Sequence, residues 1–141
     1  MTQPSPTRVV FFQVNESGSK LEKLIETART HFGKKEPFLI FVEDEKGEKY
    51  VDDLLWKIPK TGFLPHLPSD GPTNERLVIT KKKLNVNNAK IAFNLCPHPL
   101  FVDPPFKIIY EFEDSTTPIK KNFSLERFEA YKRAGYFIEA R

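Results

Sequence analysis

Three acidic residues in a row, Glu43-Asp44-Glu45, follow the apolar run Phe38 to Val42 and precede a helical pattern. Open α/β sheets tend to hold ligands beyond the carboxyl ends of their strands, so carboxylates there make a magnesium site, and with it a metal-dependent phosphohydrolase, conceivable. Acidic residues also favour the positive end of a helix, and a solvated helix start accounts for the triplet without any metal. Cys96 and His98, with His66 or His31, offer a thiol and imidazoles for zinc or for a nucleophile and its base. Their spacing matches no standard zinc pattern, and a lone cysteine is more often an inert buried thiol. Neither early strand is followed by GxGxxG, GxxxxGKS or GxxxxGKT, so the backbone lacks a loop to cradle phosphate and no cofactor is expected.

The basic residues divide in the same way. Lys81-Lys82-Lys83 contains no aromatic residue on which bases could stack, which makes it a solvated turn more readily than a single-strand-binding track. From Pro118 to Arg133 the chain carries Lys120, Lys121, Arg127, Lys132 and Arg133 against Glu126 and Glu129, interleaved with Phe123, Phe128 and Tyr131. Such a surface could pair its cations with an acidic peptide while an apolar side chain enters a pocket. It could equally be an amphipathic helix with aromatics inward and charges in water. The net charge of +3, from 22 basic and 19 acidic residues, is too small for a dedicated nucleic-acid binder.

The only tryptophan lies in Leu54-Leu55-Trp56, at the end of a predicted helix. At about 100° per residue, Val51, Leu54 and Leu55 share one core-facing arc, and Trp56 falls about 100° beyond its edge, between the directions of Asp52 and Asp53. The indole therefore points away from that core. Two outcomes stay open: it folds onto its own downstream loop, over Ile58, Pro59 and Phe63, or it forms part of an exposed apolar patch of the kind that anchors a partner.

These residues need a scaffold, and the hydrophobic patterning supplies one. Arg8 to Val14 and Phe38 to Val42 are continuous apolar runs of strand length, expected where both faces of a sheet are covered. Ser19-Lys20-Leu21-Glu22 fits a capping box, and Leu21, Leu24, Ile25, Ala28 and Phe32 follow at helical spacing until Gly33. Strand, helix, strand, helix argues for a parallel sheet with crossover helices. Pro59, Pro65, Pro68 and Pro72, with Gly62 and Gly71, make a long structured loop. Further strands are predicted over Arg76 to Thr80, Ala89 to Leu95 and Phe106 to Glu113. The last alternates, with Phe106, Ile108, Tyr110 and Phe112 inward and the other face largely in solvent. A final helix begins after Thr117 or restarts at Ser124, and stops near Gly135. At 141 residues the whole chain, 1–141, fits one domain. One cysteine and an opening without a secretory signal point to the cytoplasm, and no apolar run reaches the ~20 residues needed to span a bilayer.

Two segments, LLWKIPKTGFLPH (Leu54 to His66) and RFEAYKRAGY (Arg127 to Tyr136), together resemble the chi subunit of bacterial DNA polymerase III. Their order and separation, the Glu43-Asp44-Glu45-Lys46 turn and the overall length agree, so the resemblance spans nearly the whole chain. It implies a three-layer α/β/α fold with a mostly parallel, mixed sheet, Rossmann-like without a phosphate loop. It also implies a non-enzymatic replication adaptor with two partners. One is the psi subunit, and through it the clamp loader, or in some relatives a helicase; Trp56, Phe63, Leu64 and Pro65 match that patch. The other is the acidic C-terminal tail of single-stranded-DNA-binding protein, for which the matching positions are Lys121, Leu125, Phe128 and Glu129, with Lys132 and Arg133 one turn on. Leu125, Phe128 and Glu129 stand where a relative has arginine, tyrosine and lysine. Glu129 would repel an acidic tail.

Overall fold

The computed structural model describes residues 6–16, 18–59 and 62–141. Residues 1–5, half of the opening segment on which the cytoplasmic expectation rests, lie outside them, as do Lys60 and Thr61 of the Trp56 loop. The order of elements is β1 (Arg8–Val14), α1 (Gly18–Gly33), β2 (Phe38–Phe41), α2 (Glu45–Trp56), β3 (Leu67–Pro68), β4 (Leu77–Thr80), β5 (Ile91–Asn94), β6 (Ile108–Asp114), α3 (Pro118–Arg133) and β7 (Phe137–Ala140). The seven strands form one sheet in the order β3-β4-β2-β5-β6-β1-β7. Every pairing is parallel, so the sheet is not mixed.

Side chains alternate across a strand, and each face of this sheet is covered by different elements. Val10, Phe12, Phe38, Ile40 and Phe93 pack under α1 and α2, which contribute Leu24, Ala28, Val51 and Leu55. Val9, Phe11, Leu39, Phe41 and Ile109 lie under Tyr131 of α3 and the two segments that link β4 to β5 and β5 to β6, through Val86, Ala89, Leu100 and Phe106. Irregular chain thus takes the place of helices on much of the second face. This explains why β1, β2 and β4 read as unbroken apolar runs.

The helix ends follow local chemistry, with one difference. Asp44 accepts the Gly47 N–H at the start of α2, and Thr117 accepts the Lys120 N–H at the start of α3 with Pro118 just inside it. Beyond α3, Gly135 takes φ +81°, a left-handed C-terminal position that glycine adopts without steric cost. Ser19, by contrast, does not cap α1. The helix starts at Gly18, and the Ser19 hydroxyl donates back to the Glu16 carbonyl at 2.8 Å.

Strand β6 corrects the expectation of a solvated second face. Ile109 is 1% exposed and Glu111 0%, because α3 and the loop after β5 close over them. Strands β3 and β7 were not predicted: β3 is a two-residue pairing on β4 inside the proline-rich loop. In β7, four residues of mixed polarity do not announce a strand, and β1 supplies their hydrogen-bonding edge from the far end of the chain.

Candidate functional site

Trp56 is the last residue of α2, one position after the fully buried Leu55, and it is 62% exposed. Its ring stands 5.2 Å from Phe63 and 5.0 Å from His66, centroid to centroid. The loop that carries those rings is pinned. His66 Nδ1–H donates to the Leu64 carbonyl at 2.7 Å, while Nε2 sits 3.0 Å from Asp52 Oδ1, off the hydrogen-bond line. Arg29 Nη2 donates to the Gly62 carbonyl at 3.0 Å, and Ile58 and Leu64 enter the core beneath. Both sequence outcomes are therefore realised in part: the indole leans on its own loop and still leaves most of its surface in water. Of the four residues matched to a partner patch, Trp56, Phe63 and Pro65 reach the surface. Leu64 does not; at 3% exposure it anchors the loop from inside.

Helix α3 reverses the arrangement expected of an amphipathic helix. Its buried residues are Ser124, Arg127 and Tyr131, whereas Ile119, Leu125 and Phe128 face outward. Arg127 Nε lies 3.0 Å from Glu111 Oε1, Nη2 donates to the Phe112 carbonyl at 2.7 Å and Nη1 to the Pro97 carbonyl at 3.1 Å. The other carboxylate oxygen of Glu111 accepts from Tyr131 Oη at 2.5 Å and Asn94 Nδ2 at 2.7 Å, and Tyr131 Oη in turn accepts the Leu100 N–H. A guanidinium can lie in the interior here because the Glu111 carboxylate offsets its charge and Nη1 and Nη2 donate to carbonyls, although Nε and Glu111 Oε1 face one another off the hydrogen-bond line. Of the five cations in the helix, four remain at the surface against two carboxylates, an excess of two rather than three.

Burial lifts the Glu111 carboxyl from 4.5 to about 7, with the Arg127 guanidinium and the Tyr131 and Asn94 donors holding it from rising further. In the unfolded chain this carboxyl loses its proton near 4.5, so between the two values the folded protein holds a proton that the unfolded chain has released. The contribution of this group to stability is therefore full below pH 4.5 and is lost as the pH rises through about 7. The expected result is a loss on the order of 3 kcal/mol at most between about pH 5 and pH 8, present in the native chain and absent from Glu111→Gln, measured by urea denaturation. Parallel stability curves for the two proteins would overturn it.

On its outer side α3 borders a cavity of about 160 Å³ shared with β1, β6 and β7. Lys121, Leu125 and Phe128 line it with Phe11 and Ile138, and Phe128 packs on Phe11 at 6.0 Å. Three of the positions matched to a tail-binding pocket thus converge. Glu129 and Lys132 are exposed and are not on its wall, where the carboxylate is instead Glu113, a residue that sequence reasoning did not single out.

The other candidates come apart. Asp44 is engaged as the α2 cap, Glu45 sits in the first turn, and among the described residues no three His, Cys, Asp or Glu side chains form a possible metal cluster. The phosphohydrolase reading loses the convergence of carboxylates on which it rested. Lys83 Nζ approaches Cys96 Sγ at 2.8 Å, yet burial pushes the thiol above its ordinary range, against activation as a nucleophile. His31 is tied to Tyr110 and Glu36, far from Cys96 in the fold. Lys81 pairs with Asp70 at 2.6 Å and with Glu48 at 3.7 Å, while Lys82 and Lys83 stay exposed, so one of the three lysines of the turn is engaged in ion pairs.

The family profile described as DNA polymerase III chi subunit, HolC, matches residues 7–139. The chain belongs to the DNA polymerase III chi subunit family. That membership assigns it to DNA replication, as an accessory subunit of the polymerase. The matched span takes in both the Trp56 surface and all of α3. Comparison with curated proteins finds no match. Among the described residues no helix is long and apolar enough to cross a membrane.

Proposed function

We propose that this chi-family chain is a single-domain, cytoplasmic, non-catalytic adaptor that joins two proteins of the replication machinery. The Trp56 surface takes the psi subunit or a helicase, and the α3 pocket takes the acidic C-terminal tail of single-stranded-DNA-binding protein. The observation that carries the first half is the exposure of Trp56 beside Phe63, held on a loop that Leu64 and His66 fasten to the core. A rigid, half-uncovered aromatic pair loses little entropy on docking, which is why such residues anchor interfaces. Support for the second half is a largely apolar cavity with both Lys121 and Glu113 on its lining, suited to an apolar side chain whose neighbouring carboxylate pairs on the Lys121 side. The pairing of Lys81 speaks against direct nucleic-acid binding as the main activity.

The test uses the tail peptide immobilised on resin. The chain is expected to bind it with a micromolar Kd, about −8 kcal/mol, weakening as salt rises, and Lys121→Glu is expected to weaken it about tenfold. Resin loaded with the chain should then retain the second partner from native cell extract, and resin without it should not. Absence of tail binding at low salt rejects the second half; tail binding without retention rejects the bridging.

A further inference from the structure

We propose that the crevice above the carboxyl ends of β2, β5 and β6 binds a small aromatic molecule carrying one negative charge. The inference is independent of the adaptor reading, since neither the Trp56 loop nor the outer face of α3 lines this space. Neighbouring strands β2 and β5 send the chain in opposite directions, β2 toward β4 and β5 toward β6. At such a switch point an open parallel sheet leaves a gap between its connections. Here the gap is a cavity of about 530 Å³, within the range of small-molecule sites.

Its lining decides the ligand class. The second turns of all three helices contribute apolar walls, among them Leu24 of α1, Val51 of α2 and Phe123 of α3, and Phe112 of β6 adds an aromatic ring. A flat apolar body fits such walls better than a sugar or a nucleotide does. Phosphate is disfavoured further because α2 and α3 are already capped by Asp44 and Thr117, which occupy N–H groups that would otherwise hold it. Three cations reach the space. Lys20 is paired with Asp114 and Arg127 with Glu111, whereas Lys120 has no carboxylate within ion-pair distance among the described residues. Glu43, across the crevice on the β2 side, likewise has no ion-pair partner among the described residues, so the Lys120 ammonium on the α3 side calls for one anion beside it and the Glu43 carboxylate penalises a second negative charge.

The probe is 2-naphthoate, titrated into the isotope-labelled full chain, with neutral naphthalene-2-carboxamide as control. Expected are saturable one-to-one shifts at the amides of Leu24, Val51 and Phe123, and binding of the acid about tenfold tighter than of the amide. Lys120→Gln, at an exposed position that leaves the fold intact, should erase that preference. Trp56→Ala and Phe128→Ala should change nothing, which separates this site from the two partner surfaces. No saturation up to about 1 mM, shifts that move instead around Trp56 or Phe128, or equal affinity for acid and amide would each overturn the proposal.

Discussion

Arg127→Met at about pH 8 is expected to lower the stability of this chain by about 3–5 kcal/mol, a fall in Tm of roughly 10–15 °C. Removing the guanidinium leaves the fully buried Glu111 carboxylate without its cationic partner, and takes one donor from each of the Phe112 and Pro97 carbonyls. The loss does not reflect a strongly favourable ion pair. Most of it is the desolvation cost of a buried charge stripped of compensation. It follows that Arg127→Met combined with Glu111→Leu should recover a large part of the loss, since an apolar pair of similar size needs no partner charge. Calorimetry of the native, single and double variants checks this. A double variant no more stable than the single would show that the pair is needed for the seating of α3 itself.

Trp56→Ala is the second large effect, and it belongs to binding rather than to folding. Interface tryptophans at the centre of a patch commonly account for 2 kcal/mol or more, so affinity for psi or the helicase should fall about 30-fold or further. Stability should change by less than about 1 kcal/mol, because the indole is 62% exposed and Leu55, not Trp56, occupies the core. Tail binding should be unaffected, as α3 lies on the opposite face of the sheet from α2. Unchanged partner binding with an intact fold would remove Trp56 from the site. Leu64→Ala should behave oppositely, costing stability first, since its side chain lies within the core that the loop closes.

The contrast between these two residues shows where sequence reasoning holds. The direction of Trp56 follows from helix phase over a handful of neighbours, and the structure places it where that phase predicts. The caps at Asp44 and Thr117 and the stop at Gly135 are likewise local, each a matter of one side chain or one φ angle. Leu64 is different. Two residues past the glycine of a proline-rich loop, it has no periodicity to assign it a face, and only the fastening of that loop by His66 and Arg29 turns it inward.

For the pocket on α3, the segment and its cations were legible, but not which side of the helix they occupy. Periodicity expects aromatics inside and charges outside, because transfer of an isolated guanidinium from water is prohibitive. Glu111 cancels that expectation from a strand whose own alternation placed it in solvent. The one signal available was an acidic residue, Glu111, between Tyr110 and Phe112 of β6, which by itself reads as exposure. With Arg127 inside, Phe128 and Leu125 are turned out over Phe11 and Ile138, and the cavity exists because of that inversion.

By itself the sequence determined the three helices, five of the strands in their order, the start of α2, the stop of α3 and the outward indole, because each rests on contacts within a few residues. Tertiary structure alone decided the two edge strands β3 and β7, the burial of Arg127 and the outer pocket that results. The physical reason is that a buried charge is tolerable only beside its opposite, and Glu111 and Arg127 meet only once α3 has crossed back over β6.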